Sequence, residues 1–529
     1  MMIDLENVSP LLLPWAEDMW GIWRPPVSVE AAQMSAELAR ATYGMEIEPW
    51  MKAGWRDVNI LLDGELTAVR PHEGWLSKTI RERRVRAHLH QHGALGEVLG
   101  TLRQVGESDS CKALVMLHPA PEGRYVAAIG FMGTGARFYD WLSNFRMTSQ
   151  DGVHKGFLQL TQQFEGFEER IQFPETARDL GLTRLTLGDV LREAQHPNSR
   201  FALWLAGHSK GAALMQVYAH RKIHGSRVHP RNIAGYGFAS PSVMTGTAVE
   251  QPARDPLYHI QCSDDVVTRC GAQVHLGVCL TYPADETLRR RCYPWPEDEL
   301  SVRAMACVAT ILRRMTDTAA CIESMMALLN VISRCPPADI WNMLGMSGSL
   351  PLGRMVTAAE VDGLLRSARR HASMAYQSIT GQPLEQARVA DFMEDIEAAV
   401  QEVGLKSFSR ALGQFTGAAH SIATELPEGR IGAYRFIVEE GMEKLIPTCW
   451  LAGNPPIRLL GVERTAQARV GRAEECALVI RGHRPGRPRA RHGLRYRDPR
   501  PRRDTRHRPP ELEKGAMRAG EKLLRTRGK

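Results

Sequence analysis

Apolar positions along this chain follow two different rhythms. Residues 125–131, residues 201–206, Ile233–Phe238 and Leu257–Cys262 are short, nearly continuous apolar runs, each closed by a turn containing glycine or serine. Runs of this length suit strands buried on both faces. Between them, residues 187–195 and 212–220 show helical spacing, the first with Thr186 placed as an N-cap and His196-Pro197-Asn198 as its stop. Strand, helix, strand, helix, strand predicts an α/β fold, a mostly parallel central sheet flanked by helices, with functional groups at the carboxyl ends of the strands. Upstream, residues 27–43 predict an amphipathic helix with Ala31, Met34, Leu38 and Ala41 on one face, residues 55–62 an early strand, and residues 76–102 a charged, largely helical connection. Beyond Asp285 the rhythm turns helical: residues 301–333 and 357–380 are strongly apolar with many methionines, broken at Pro336-Pro337, and residues 411–425 and 434–445 add further helices. Four segments follow from this pattern. Residues 1–120 form a lead-in packed on the core, 121–295 the core, 296–460 a helical insertion or cap with further C-terminal helices, and 461–529 a tail.

Charge sharpens the last boundary. The formal net charge of +8 invites a nucleic-acid partner, but residues 461–529 hold 21 Lys and Arg against 8 Asp and Glu, so the rest of the chain is mildly acidic. With 12 arginines between Arg481 and Pro510 and almost no apolar residues, nothing offsets the entropy of ordering that stretch. The tail is expected to be disordered, with at most weak, sequence-independent contact to phosphates or anionic lipid and no specific nucleic acid. Acidic Asp4 and Glu6 stand where a secretory signal carries positive charge, and the apolar stretch 318–333 is interrupted by Glu323 and is shorter than the roughly 20 residues that span a bilayer. These features predict a soluble, cytoplasmic protein. None of the 10 cysteines forms a C-x-x-C pair, and Cys262, Cys270, Cys279 and Cys292 lack zinc-ligand spacing, so free thiols are expected and no metal ligands are assigned.

Candidate chemistry gathers at strand ends. Gly207-His208-Ser209-Lys210-Gly211 follows a buried strand and opens a helix, the setting of a G-x-S-x-G nucleophile elbow. Glycine at 207 and 211 suits a sharp turn pressed between strand and helix, and serine at its apex is pushed outward. A serine that merely caps the helix is the competing reading. Gly130-Phe131-Met132-Gly133-Thr134-Gly135 ends another core strand and suits backbone N–H groups that approach a ligand; without a following Gly-Lys-Ser or Gly-Lys-Thr it is no phosphate loop. Asp265 closes a strand downstream of Ser209, where a serine hydrolase of this fold carries the acid that orients its histidine.

Taken together, Phe131-Met132-Gly133-Thr134 with Asp140-Trp141, Val153-His154-Lys155-Gly156-Phe157, the elbow, Phe238-Ala239-Ser240-Pro241 and Asp265-Val266-Val267 resemble the class 3 lipases of the α/β-hydrolase superfamily. The resemblance runs from about residue 31 to 275, with a weaker continuation to 376, and lysine at position 210, where leucine is commoner, looks like a bacterial branch. It implies the α/β-hydrolase fold, Ser209 as nucleophile, Asp265 as orienting acid, and an oxyanion hole made of the backbone N–H groups of Lys210 and Thr134. The family histidine lies near the end of the domain, often with a tyrosine a few residues on. His371, followed by Tyr376, fits best, His420 is the alternative base, and His275 matches a family histidine that is not catalytic. The implied activity is a serine ester hydrolase acting on lipid or acyl esters through an acyl-enzyme, with transient membrane-surface contact and no cofactor. Two further readings stay open: a lipase-fold protein that binds without turnover, and a bacterial lipase effector exported without a signal to act on target membranes.

Overall fold

The computed structural model describes residues 29–62, 64–69, 111–133, 149–150, 152–244, 255–294, 298–334, 358–384 and 386–448. In chain order these form helices α1 (Val29–Gly44) and α2 (Glu48–Lys52), strands β1 (Arg56–Leu62), β2 (Glu65–Ala68), β3 (Ala113–Ala120), β4 (Arg124–Phe131), β5 (Ser149–Gln150) and β6 (Val153–His154), and helices α3 (Lys155–Glu165), α4 (Pro174–Asp179) and α5 (Leu187–Glu193). Strand β7 (Phe201–His208), helix α6 (Lys210–His220) and strands β8 (Ile233–Phe238), β9 (Leu257–Cys262) and β10 (Val278–Tyr282) follow. Helices α7 (Glu286–Cys292), α8 (Glu299–Arg314), α9 (Thr318–Ile332), α10 (Ala358–Thr380), α11 (Gln386–Val403), α12 (Leu405–His420) and α13 (Ala433–Phe436) lead to strand β11 (Ile446–Thr448).

Nine strands make one sheet in the order β11-β10-β9-β8-β7-β4-β3-β1-β2. The middle of it, β4, β7, β8, β9 and β10, is parallel, while β3, β1 and β2 extend one side and β11 the other in antiparallel fashion. This is the α/β-hydrolase arrangement, and its sheet draws strands from both sides of residues 121–295. The continuous apolar runs are explained by burial on both faces. In β7, Trp204 and Ala206 join a core shared with α1 and the later helices, whereas Leu203 and Leu205 join a core built with α3, α5 and α6.

The first core centres on three indoles. Trp50, Trp55 and Trp204 pack with ring centroids 5.5–5.9 Å apart. Trp204 Nε1–H donates to Ser35 Oγ at 2.8 Å, so the polar edge of a buried indole is satisfied from α1. Early and late parts of the chain also meet here, because Gln33 Nε2 donates to the Val438 carbonyl at 2.9 Å.

The later helices form a bundle in which α8 packs on α11 and α12, and α9 on α10 and α11. The single helical stretch expected over 301–333 is two helices, α8 and α9, because Asp317 leaves helical geometry to accept the Ala320 N–H as an N-cap at 2.8 Å. The helix expected over 411–425 lies at Leu405–His420, and the one expected over 434–445 breaks into α13, a wide turn at Ile437–Gly441 and a tight one at Met442–Lys444. Among the described residues no helix is long and apolar enough to cross a membrane. The connection at 76–102 and the tail at 461–529 lie outside the described residues.

Replacing Ser35 with alanine would strand the Trp204 indole N–H in the core. The expected cost is about 1–3 kcal/mol, read as a lower urea midpoint with an unchanged native near-UV spectrum; an unchanged midpoint would show that this bond holds nothing.

Candidate active site

Parallel pairing brings the candidate groups together. Phe131 of β4 is opposite Gly207 of β7, and His208 is opposite Phe238 of β8, so the loop after β4 and the turn after β7 emerge side by side. Ser209 follows at once with φ 58° and ψ −129°, a left-handed-side conformation that costs a non-glycine residue roughly 1–3 kcal/mol. Its backbone N–H is anchored to the Phe238 carbonyl at 2.9 Å. The glycines do what the sharp turn requires: a Cβ at 207 would overlap the Gly211 carbonyl, and one at 211 would overlap the carbonyl of Phe131. The Ser209 side chain makes no capping bond to α6, so the helix-cap reading of this serine does not hold.

Asp265 leaves the end of β9 and is 1% exposed. Its Oδ1 accepts the Val267 N–H at 3.0 Å, while Oδ2 accepts from the Tyr434 hydroxyl at 2.7 Å and lies 3.0 Å from His420 Nδ1. A carboxylate is acceptor-only, so His420 presents Nδ1–H to it and its proton-accepting lone pair stands on Nε2. Burial, then the neighbouring Asp265 charge, pushes the Tyr434 hydroxyl well above the usual tyrosine range, keeping it a donor. Neighbouring Asp264 has a different task. It takes two bonds from Arg289 of α7, at 2.9 and 3.0 Å, and fixes the loop from outside.

Between these groups stands His208, the second residue of the elbow. Its Nε2–H donates to the His420 carbonyl at 2.7 Å, and its Nδ1 then accepts from the Tyr43 hydroxyl at 2.7 Å. The two histidine rings are 4.6 Å apart. Burial drives His208 well below the ordinary histidine value, which keeps it neutral and holds this tautomer. The elbow strand therefore ties the end of α12, where His420 sits, to α1.

With this geometry the chain can be compared with known proteins. Residues 129–275 match the family model described as lipase (class 3). On that match the chain is similar to ester hydrolases of the lipase type. Solved structures to which part of the chain is similar include one described as a triacylglycerol lipase with a serine protease triad at its catalytic centre (17% identity, 34% of this chain and 63% of that chain, TM-score 0.25). Lipase II from Rhizopus niveus (17%, 32% and 61%, 0.24) and Rhizomucor miehei lipase in its propeptide complex (14%, 48% and 67%, 0.28) are two more. The chain thus spans about three fifths of the length of the first of these lipases. The sequence has no match among the curated proteins.

The histidine that meets Asp265 is His420, the alternative, and not the expected His371. His371 lies on α10 within the helical bundle, where Tyr376, the tyrosine that recommended it, donates to the buried Glu323 at 2.8 Å. The tyrosine beside the acid is Tyr434, and local spacing cannot find it because a loop separates it from His420. His275 is buried and its Nε2–H donates to the Ser240 carbonyl at 2.7 Å, a structural role. Lys210 opens α6 directly after Ser209, whereas Thr134 lies outside the described residues; Gly133 before it packs against Tyr43 and the His208 carbonyl. Cys262, Cys270, Cys279 and Cys292 are free thiols, all buried.

Burial holds His275 down at about 4 and His259 at about 3, with His208 also well below its ordinary value. The unfolded chain takes up protons on these rings near pH 6.5, and the folded chain refuses them. Stability should therefore fall as pH drops from 7 toward 5, by up to about 1.4 kcal/mol per pH unit for each ring. His224, raised by its hydrogen bond to Asp255, opposes this as one exposed group. Urea midpoints at pH 7 and pH 5 check it; equal or greater stability at pH 5 would contradict the assignment of these rings as buried and neutral.

Proposed function

We propose that this chain is a serine ester hydrolase that cleaves lipid or acyl esters through an acyl-enzyme, with Ser209 as nucleophile, His420 as base and Asp265 as orienting acid. The observation that carries this is the His420–Asp265 pair, two residues 155 positions apart, joined at 3.0 Å at the strand ends from which the strained Ser209 turn emerges. The match of residues 129–275 to the class 3 lipases supports it.

In the first half-reaction the Ser209 hydroxyl attacks the ester carbonyl carbon while Nε2 of His420 takes its proton. Asp265 keeps the ring in the Nδ1–H tautomer and stabilises the imidazolium, helped by the Tyr434 hydroxyl, which holds the carboxylate in place. The tetrahedral oxyanion is assigned to the backbone N–H of Lys210, which begins a helix and so points its N–H with the positive end of the dipole, and to that of Thr134. Collapse expels the alcohol, protonated by His420. Water, activated by the same histidine, then releases the acid. The chemistry needs no cofactor.

Ser209→Ala and His420→Ala should each lower kcat on a short-chain nitrophenyl ester by roughly 10³-fold or more, and Ser209 should label stoichiometrically with a fluorophosphonate. His371→Ala should stay within a few-fold of wild type. A fully active Ser209→Ala would end the enzyme reading. A crippled His371→Ala beside an active His420→Ala would return the base to α10. A protein that neither hydrolyses the ester nor takes the probe would favour binding without turnover.

A further inference from the structure

At the opposite end of α6 from Ser209 lies a second cluster of chemistry-bearing side chains. The helix runs into a wide π-helical turn at Arg221–Gly225, and the sequence there reads His220-Arg221-Lys222-Ile223-His224. The turn sorts these side chains by charge. Arg221 and Lys222 go to Glu165 and Glu168, with Arg221 2.7 and 3.0 Å from the two Glu165 oxygens and Lys222 2.8 Å from Glu168. The two imidazoles turn the other way, to Asp255 just before β9. His220 Nδ1 is 2.8 Å from Asp255 Oδ2, His224 Nε2 is 2.7 Å from Oδ1, and the rings are 4.3 Å apart.

Asp255 is an unusual carboxylate. It is 5% exposed, and its side-chain partners among the described residues are these two imidazoles and no arginine or lysine, although both kinds are present in the same turn. Burial works against its charge, but the bonds from His220 and His224 outweigh it and hold the carboxyl below the usual range. With neutral imidazoles the cluster carries one uncompensated negative charge. Its donor set of two nitrogens and one oxygen is that of open, three-ligand zinc sites, in which a fourth position is left to water. One donor atom from each residue lies within 4.8 Å of the others. An ion with bonds of about 2.0–2.1 Å in tetrahedral geometry needs its donors roughly 3.3 Å apart, so the two hydrogen-bonded pairs have to open by about half an ångström and the donors that lie farthest apart have to close by up to about 1.5 Å. The His224 side chain is 54% exposed and the Asp255 side chain 4%, so the cluster has a closed inner side and an open outer one through which an ion and its water can enter.

We propose that His220, His224 and Asp255 bind one first-row divalent cation, with zinc the best match to this donor set. On binding, each imidazole nitrogen that now faces Asp255 gives up its proton, to its other ring nitrogen or to solvent, and offers a lone pair. A carboxylate oxygen supplies the third bond and water the fourth; no electron is transferred. Competition between protons and metal for the imidazoles makes affinity fall at low pH. The ion cross-links the end of α6 to the start of β9. It stands away from Ser209, and the proposal is independent of the hydrolase reading.

Full-length, untagged, metal-stripped protein titrated with zinc chloride in a calorimeter should bind one equivalent saturably at micromolar or lower concentration, and zinc should raise the melting temperature. Cobalt(II) in the same position should give the intense visible absorption of a tetrahedral site. Ser209→Ala should keep the equivalent. His224→Gln, half exposed and expected to fold, should lose it, as should Asp255→Asn, with native circular dichroism as the control for each. No saturable site in the wild type, a weak octahedral cobalt spectrum, or an equivalent that survives His224→Gln would each overturn the proposal; should either variant fail to fold, the wild-type stoichiometry and cobalt spectrum decide it.

Discussion

The architecture depends on a steric constraint at Gly211, where α6 crosses so close to the end of β4 that a single added carbon would overlap the Phe131 carbonyl, just as one at Gly207 would overlap Gly211. This contact fixes the distance between the turn after β7 and the loop after β4, and it forces the chain between the two glycines through a conformation that L residues avoid. Ser209 takes that conformation at φ 58°. Its roughly 1–3 kcal/mol of strain is offset by what surrounds it: a parallel ladder on either side, the Ser209 N–H bond to Phe238, and a buried helix on each face of the sheet. The Ser209 hydroxyl is therefore positioned by backbone packing rather than by a capping bond to α6.

From that fixed point the rest of the site is assembled by residues distant in sequence. Asp265 is placed by β9, the second strand over from the elbow strand, and His420 by the end of a helix 155 residues further on. What joins them is a short polar chain: Tyr43 to His208, His208 to the His420 carbonyl, His420 to Asp265, and Asp265 to Tyr434. Every link but the His208–His420 carbonyl bond is between side chains, and burial keeps His208 neutral and Tyr434 protonated, so donors and acceptors alternate without conflict. His208 thus contributes twice, as part of the elbow and as the strut beneath His420.

The parallel core was legible in the sequence because strands buried on both faces are written as unbroken apolar runs, and β8 and β9 fall on the residues that pattern marks. The strand-end positions of Ser209 and Asp265 were legible for the same reason, since each follows such a run. The base was not. His371 has the better local spacing to a tyrosine, but periodicity does not say which helix end docks at the strand ends, and the bundle turns Tyr376 toward Glu323 instead. The loop that returns Tyr434 to Asp265 and the bond from Gln33 to Val438 likewise join the chain across distances that no local pattern encodes. The His220, His224 and Asp255 cluster escaped for a related reason: two of its members lie one helical turn apart, but the third comes from a separate segment, just before β9.

That cluster and the candidate triad lie at opposite ends of the same two elements. α6 begins beside Ser209 and ends at His220, an 11-residue span of about 16 Å; β9 begins beside Asp255 and ends short of Asp265, six residues or about 20 Å. At the near end the two elements lead to Ser209 and Asp265, the residues proposed as nucleophile and acid. At the far end they are tied by hydrogen bonds that a protonation event or a cation would alter. A tie there cannot change the charge felt at Ser209 over such a distance, because solvent and protein screen it. What it can change is the rigidity of the frame: with both ends of α6 pinned, one by the glycine contact to β4 and the other by Asp255, the helix has no free end about which to pivot. The strained serine at its N-terminus then keeps its angle to the sheet.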